Sequence, residues 1–179
     1  MKRKELEAKL GDQKGGSINQ MTGVETSLEL PDAAATLALG RRLAALVVPG
    51  DVITLSGELG AGKTTLARGL IGGLAARAGL SPEEVPSPSF PIVETYELGD
   101  LTLWHFDFYR IGEQAELEEL GLSEALSTGV TLVEWPEHAW AALPEERLDI
   151  RLEWVGEGRR ALLAAHACSG HVWRIEEIS

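Results

Sequence analysis

The sequence predicts an α/β fold in which the sheet is parallel at its centre, carries antiparallel additions and is flanked by helices. Segments with strand-like composition alternate with segments of helical periodicity through most of the chain. A glycine-rich stretch, GELGAGKTT, joins such a strand to such a helix. Near the C-terminus, RLDIRLEW and RRALLAAHA flank VGEG, which is typical of an antiparallel hairpin.

The first predicted elements lie between residues 24 and 57. VETSLEL has the composition of a strand, and PDAAATLALGRRLAAL predicts a helix because Leu39, Leu43 and Leu46 follow one helical face. Asp32 suits the start of that helix. After a turn at VPGD, the apolar run VITLSG predicts a buried strand that ends at Gly57.

The next segment, TTLARGLIGGLAARAGL, predicts a helix with leucines at every fourth position. Gly69, Gly72 and Gly73 lower its helix propensity, and we expect them to permit close packing. A loop through SPEEVPSPSF then leads to the strand PIVETYEL. LTLWHFDFYR predicts one further strand, with His105, Asp107 and Tyr109 on the same side.

An acidic helical stretch, IGEQAELEELGLSEAL, and a buried strand, GVTLVEW, complete the middle of the chain. At 179 residues the chain suits one well-buried domain. Residues 1–24 are polar and lack an apolar period, so we expect a disordered leader there and a single domain over residues 25–179.

Composition narrows the classes of function. The net charge of -12 disfavours strong direct binding to an RNA or DNA backbone, because such proteins usually carry a basic surface. No run approaches the roughly 20 apolar residues that cross a bilayer, and the start lacks a signal-peptide core. The single cysteine, Cys168, suits a reducing compartment. We therefore expect a cytoplasmic protein without membrane contact.

The glycine-rich stretch matches the phosphate-binding P-loop. Gly57 to Thr64 fits G-x-x-x-x-G-K-[ST] between a strand and a helix, the context that the motif requires. Glycines let backbone N–H groups surround a phosphate chain at a helix N-terminus. Lys63 is expected to contact the β- and γ-phosphates, and the Thr64 hydroxyl is expected to help coordinate Mg²⁺.

Phosphoryl transfer also needs acids, and two carboxylates are candidates. Glu134 follows the apolar run VTLV, so it emerges at the end of a buried strand, and Asp107 ends another strand near the same place. Which of the two contacts Mg²⁺ directly stays open. His105 is interpreted as a hydrogen-bonded structural residue, and the other three histidines have no ligand spacing.

ATP is the expected nucleotide. The N-K-x-D element that selects guanine needs an asparagine, and Asn19 is the only one in the chain.

With these residues in place, the chain resembles the TsaE family, bacterial P-loop ATPases of tRNA threonylcarbamoyladenosine formation. The resemblance runs from about Ser27 to the C-terminus. It depends on an ordered series of motifs: LPDAAATLALG, GELGAGKTTLARG, SPSF with ETYE, HFDFYR, EELGL and VEWPE. Ser89 departs from the threonine that the family usually has, but it keeps a hydroxyl group.

The resemblance implies a role for each matching residue. Glu134 takes part in Mg²⁺ coordination with Thr64, Asp107 is the catalytic or water-positioning acid, and Lys63 acts on the phosphates. Ser87 to Phe90 form a switch-like loop, and Trp135 lies close to the nucleotide. The implied nucleotide-binding residues are Leu59, Gly60, Ala61, Gly62, Lys63, Thr64, Thr65, Thr36 and Arg159.

The resemblance also implies an ATP- and Mg²⁺-dependent ATPase that is weak alone and stimulated by partners. Those partners are TsaB and TsaD, and tRNA is reached only through their complex. Two alternatives stay open: a small-molecule or nucleoside kinase, and a nucleotide-gated binding module without essential hydrolysis. The kinase would need an arginine-bearing lid, and Arg159 and Arg160 lie instead in the expected hairpin.

Overall fold

The computed structural model describes residues 24–81, 92–111, 114–166 and 178. The strands of this part are β1 (Val24–Leu30), β2 (Val52–Gly57), β3 (Val93–Leu98), β4 (Leu101–Asp107), β5 (Val130–Glu134), β6 (Arg147–Val155) and β7 (Gly158–His166). The helices are α1 (Ala33–Leu46), α2 (Lys63–Arg77), α3 (Gln114–Glu119) and α4 (Leu122–Thr128). Short 3-10 helices span Phe108–Arg110, Pro136–His138 and Trp140–Ala142.

The described strands form one mixed sheet in the order β1-β7-β6-β2-β5-β4-β3. The central neighbours β6, β2, β5 and β4 are parallel, whereas β3, β7 and β1 add antiparallel pairs at the two sides. The predicted fold class is therefore confirmed, and the hairpin at VGEG is the β6–β7 pair. Because β2, β4 and β5 are parallel, their carboxyl ends meet at one edge of the sheet, where ligands bind in α/β proteins.

Helices α1 and α2 pack together against the larger hydrophobic core. Asp32 caps α1, accepting a hydrogen bond from the Ala35 N–H at 2.7 Å. The two helix backbones touch: a Cβ added to Gly69 would lie 2.2 Å from the Leu37 carbonyl oxygen. The same contact exists at Gly40, whose added Cβ would lie 2.3 Å from the Leu66 carbonyl oxygen. Close packing is thus confirmed for Gly69, and for Gly73, whose added Cβ would lie 2.6 Å from the Ala44 Cβ. It is not confirmed for Gly72, whose added Cβ has nothing within 4 Å.

A second, smaller core lies around Phe106 and Phe108 and includes residues of α3 and α4. Two predicted elements differ here from the structure. The strand through LTLWHFDFYR ends at Asp107, because its carboxylate accepts from the Tyr109 N–H at 3.0 Å and begins a 3-10 turn. The acidic helical stretch divides at Gly121, whose φ of 77° interrupts the helix between α3 and α4.

Several predictions fall outside the described residues. They concern the leader, the loop from Ser87 to Phe90, Cys168 and His171. Within the described ranges, none of the helices is both long and apolar enough to span a membrane.

Candidate nucleotide-binding site

The glycine-rich loop connects the end of β2 to the start of α2 at the carboxyl edge of the sheet. Gly62 is the N-cap of α2 with a φ of 108°, and no side chain caps the helix. The Leu66 N–H donates to the Gly62 carbonyl, so the N–H groups of the first helical turn have no intrahelical acceptor. These donors and the helix dipole together suit a phosphate group.

Lys63 is held inside this loop by three contacts. Its ammonium group donates to the carbonyl oxygens of Gly57 at 2.8 Å and Glu58 at 3.0 Å, and it lies 3.6 Å from the centre of the Trp135 ring. Burial lowers the pKa of Lys63, and the nearby carboxylates of Glu134, Glu137 and Asp107 partly oppose that effect. Lys63 therefore places a positive charge beside the loop that would bind a phosphate group.

Glu134 joins the loop to the neighbouring strands. Its Oε2 accepts from the Thr64 hydroxyl at 3.1 Å, and its Oε1 lies 3.1 Å from His105 Nε2. Glu134 as a whole residue is 2% exposed. A hydroxyl at the start of the P-loop helix and a carboxylate at the end of β5 thus lie together, as the sequence predicted from separate segments.

Asp107 lies beside Glu134 because β4 and β5 are parallel neighbours and these two residues pair in register. Unlike Glu134, Asp107 is exposed. The turn that it caps places Tyr109 at the cleft, with the tyrosine ring 4.9 Å from the Trp135 ring. The two candidate acids are therefore adjacent, one buried and one open to solvent.

Trp135 adopts an unusual backbone conformation immediately after Glu134. Its φ is 59°, and it is the only residue other than glycine with a positive φ in the described part of the chain. A bulky side chain in this region is strained. The turn directs the indole ring onto the Lys63 ammonium and against Tyr109, and the Trp135 N–H donates to the Leu55 carbonyl.

These residues enclose a cleft of about 260 Å³. Leu59, at the tip of the loop, is 76% exposed, whereas Ala61 is buried and its N–H donates to the Glu58 carbonyl. The cleft is lined by Leu59, Gly60, Gly62, Lys63, Thr64, Thr65, Asp107, Tyr109, Glu134 and Trp135.

Thr36 and Arg159 lie behind the loop rather than on the cleft lining. A Cβ added to Gly62 would lie 3.5 Å from Thr36 Cγ2 and 3.9 Å from Arg159 Nε. The Arg159 guanidinium lies 3.9 Å from the centre of the Trp154 ring, and that ring borders Gly60. By contrast, Arg160 pairs with Glu29 across the β1–β7 strands at 2.7 Å.

The donor set fits a magnesium ion bound together with phosphates. Mg²⁺ in such sites takes one or two protein oxygens and completes its shell with phosphate oxygens and water. Thr64 and Glu134 supply two such oxygens 3.1 Å apart beside the first turn of α2. Among the described residues, no group of three or more His, Cys, Asp or Glu side chains forms a separate metal cage.

Comparisons with known proteins identify the family of this chain. A family model described as "Threonylcarbamoyl adenosine biosynthesis protein TsaE" matches residues 30–162. The chain belongs to the TsaE family. A Bacillus subtilis relative, named tRNA threonylcarbamoyladenosine biosynthesis protein TsaE, is 39% identical over 145 residues, covering 80% of this chain and 87% of the relative. A Streptomyces coelicolor TsaE is 48% identical over 118 residues, which cover 64% of this chain and 76% of that relative.

The fold is shared with a solved structure of a similar protein. The crystal structure of Bacillus subtilis YdiB matches with a TM-score of 0.67 and 34% identity, covering 81% of this chain and 88% of that one. The likeness therefore extends over most of both chains.

In this TsaE family member, two residues that the structure brings to the loop had no role assigned from the sequence. Tyr109 lines the cleft, and Trp154 borders Gly60. His105, interpreted from the sequence as a hydrogen-bonded structural residue, contacts Glu134. The motif HFDFYR contained Tyr109, but a 3-10 turn rather than strand alternation orients it. Trp154 had no such signal, because its place depends on how β6 packs beside β2.

Proposed function

We propose that the chain binds and hydrolyses ATP as a component of the machinery that forms N6-threonylcarbamoyladenosine in tRNA, acting on a TsaB–TsaD complex to sustain turnover. Membership of the TsaE family supports the pathway, since the relatives carry that biosynthesis in their names. The observation that carries the ATPase assignment is the Thr64–Glu134 contact beside the P-loop, with Asp107 on the adjacent strand end.

Each group of site residues has its own role in the proposed hydrolysis. The N–H groups of the loop and of the first turn of α2 bind the phosphate chain, and Lys63 leaves its carbonyl contacts to meet the β- and γ-phosphates. Thr64 and Glu134 would hold Mg²⁺, and the ion would supply neutralisation of the phosphate charge. Asp107 orients the water that attacks the γ-phosphorus, and the bond to the bridging oxygen breaks to give ADP and phosphate.

The nucleotide is ATP rather than GTP in this proposal. The chain has one asparagine, Asn19, and the residues after it are Gln-Met-Thr, so the sequence has no N-K-x-D guanine-reading element. The nucleotide-binding role proposed for Thr36 and Arg159 is an indirect one, because both lie next to Gly62 of the loop and neither lines the cleft.

Partner contact is proposed for the rim of the cleft. Three large apolar or aromatic side chains are exposed there: Leu59 at 76%, Tyr109 at 53% and Trp154 at 47%. Exposed apolar side chains grouped around a site are typical of protein interfaces. A partner bound over these side chains would contact the loop, so its binding would depend on whether the loop holds a nucleotide. Such a dependence is consistent with weak hydrolysis by the chain alone and with stimulation by TsaB and TsaD.

A reconstituted modification assay tests the proposal. The chain is mixed with TsaB, TsaD and tRNA, and both ADP release and the number of modification cycles are measured. We expect many cycles only with the chain present, and we expect Lys63→Ala and Glu134→Ala each to abolish the stimulated hydrolysis. Glu124→Ala is the matched control, because that carboxylate is exposed on α4 and does not line the cleft.

Three outcomes would change the assignment. Repeated modification without the chain would remove its proposed role. Transfer of a labelled γ-phosphate to a small molecule, instead of its release, would indicate a kinase. Full support of modification by a variant without hydrolysis would indicate a nucleotide-gated binding module.

A further inference from the structure

His105 and Glu134 form a buried pair, and the proposed hydrolysis gives His105 no role. Their side chains are 2% and 3% exposed, and His105 Nε2 lies 3.1 Å from Glu134 Oε1. The contact follows from strand register: His105 pairs with Leu132 on parallel β5, so Glu134 is its diagonal neighbour on the same face. The sheet itself therefore brings the two side chains together.

The hydrogen in this contact lies on Nε2 of His105. A carboxylate can only accept, so the imidazole must donate to Glu134 Oε1. His105 Nδ1 is buried and has no hydrogen-bond partner within the described residues. A buried N–H without an acceptor is unfavourable, so of the two neutral tautomers the one with its hydrogen on Nε2 fits these contacts. The ring is thereby assigned to a single tautomer.

The two oxygens of Glu134 have different roles. Oε1 is occupied by His105 from the β4 side, and Oε2 faces the Thr64 hydroxyl. Without the imidazole, the carboxylate could rotate about its last bond and turn both oxygens away from Thr64. With the imidazole bound to one oxygen, the other oxygen is held beside the Thr64 hydroxyl.

We propose that His105 is a positioning residue that fixes the Glu134 carboxylate so that Oε2 and the Thr64 hydroxyl are both available to Mg²⁺. The inference rests on the proposed function, since it assumes that the site binds a nucleotide with Mg²⁺. Hydrogen-bonding partners of metal-binding side chains commonly contribute about 10- to 100-fold in metal affinity.

A pair of amide substitutions separates positioning from packing. In His105→Gln the side-chain amide reaches the place of Nε2 and can donate to Glu134, whereas in His105→Asn the amide reaches only the place of Nδ1. Binding of a fluorescent ADP is measured for the full chain across a Mg²⁺ titration and again in EDTA. We expect His105→Asn to weaken apparent Mg²⁺ affinity by about 10- to 100-fold. Binding in EDTA should stay unchanged, and His105→Gln should restore most of the loss.

Each other outcome contradicts the inference in a recognisable way. Equal loss in both variants, or weaker binding in EDTA as well, would indicate that His105 only fills space. Normal Mg²⁺ affinity in His105→Asn would remove the positioning role and leave the proposed function intact. Absence of Mg²⁺-dependent binding in the unsubstituted chain would overturn both.

A second measurement needs neither nucleotide nor activity. Nitrogen-15 NMR of labelled histidine in the free protein distinguishes a protonated from an unprotonated ring nitrogen. We expect His105 to carry its hydrogen on Nε2 and none on Nδ1. A hydrogen on Nδ1 with a bare Nε2 would exclude donation to Glu134 and overturn the inference.

Discussion

Lys63 shows how one residue couples stability to binding. The residue is 4% exposed, and its ammonium group contacts two loop carbonyls and the Trp135 ring. These contacts keep the charge within reach of the cleft, but burial still disfavours the charged form and lowers the pKa. A binding residue is thus maintained at some cost in folding free energy.

This cost predicts a pH dependence. The pKa of Lys63 is lower in the folded state than the ordinary 10.5, so between the two values the unfolded chain binds more protons and stability rises with pH. Lys63→Met removes the charge. We therefore expect it to be more stable than the unsubstituted chain at neutral pH, with the difference narrowing as pH rises towards 10.5.

Urea unfolding of both proteins at several pH values between about 7 and 9.5 measures the difference. Staying in this range limits interference from Tyr96, whose pKa is raised by burial and by its hydrogen bond to Glu94. The other lysines all lie within the first 14 residues. A difference that widens with pH would contradict the assigned direction of the Lys63 shift.

At the scale of elements, the packing of α1 on α2 depends on which glycines face the partner helix. Gly69 and Gly73 of α2 lie against α1: their added Cβ atoms would be 2.2 Å from the Leu37 carbonyl oxygen and 2.6 Å from the Ala44 Cβ. Gly72, in the same helix, has nothing within 4 Å of its added Cβ. Gly69 and Gly73 therefore contact the partner helix, whereas Gly72 does not.

We expect opposite effects from the same substitution at neighbouring positions. Gly69→Ala forces two backbones apart and should destabilise the protein by about 1 to 3 kcal/mol. Gly72→Ala, its matched control, removes backbone freedom from the unfolded chain and should stabilise by about 0.4 to 1 kcal/mol. Equilibrium unfolding gives both values, and destabilisation of similar size by the two changes would contradict the assigned helix contact.

The elements that the sequence predicted well are those with a local signal. The P-loop motif, the apolar runs of β2 and β5, and the Asp32 cap are each recognisable within a few residues. The errors arise where a single residue ends an element: Asp107 stops β4 by capping a turn, and Gly121 divides the acidic helix. Aspartate and glycine are both residue types that can end an element, but whether they do so depends on backbone angles set by the packing around them.

The candidate site was predictable only as separate pieces. Lys63, Thr64, Asp107 and Glu134 were assigned from motifs, and the cleft unites them. The His105–Glu134 contact needed the register of β4 on β5, which no periodicity specifies. Trp154 needed the order of strands across the sheet. Register and strand order are properties of tertiary pairing, so sequence reasoning about single segments cannot supply them.

The whole molecule is strongly acidic, and its charge is unevenly distributed. The net charge is -12, while the first twenty residues contain five basic and three acidic side chains. A phosphate backbone is therefore repelled by most of the chain. This distribution suits a protein that contacts partner proteins and leaves tRNA to them.

Direct binding of tRNA should accordingly be weak. We expect the isolated chain to bind tRNA with a dissociation constant above about 10 μM at physiological salt. Filter binding or fluorescence anisotropy across a salt series measures this, with the TsaB–TsaD complex as the comparison. Tight binding that weakens steeply with added salt would show a local basic surface that the overall charge conceals.

The backbone contact between α1 and α2 has a mechanical consequence for the cleft. Helices whose backbones touch cannot easily tilt or slide past each other. We therefore expect the wall of the cleft that is formed by the loop and the start of α2 to move little. The opposite wall consists of strand ends and 3-10 turns that present Asp107, Tyr109 and Trp135. Any displacement that accompanies phosphate binding or release is therefore expected in this opposite wall, where it would move the exposed side chains of Asp107 and Tyr109.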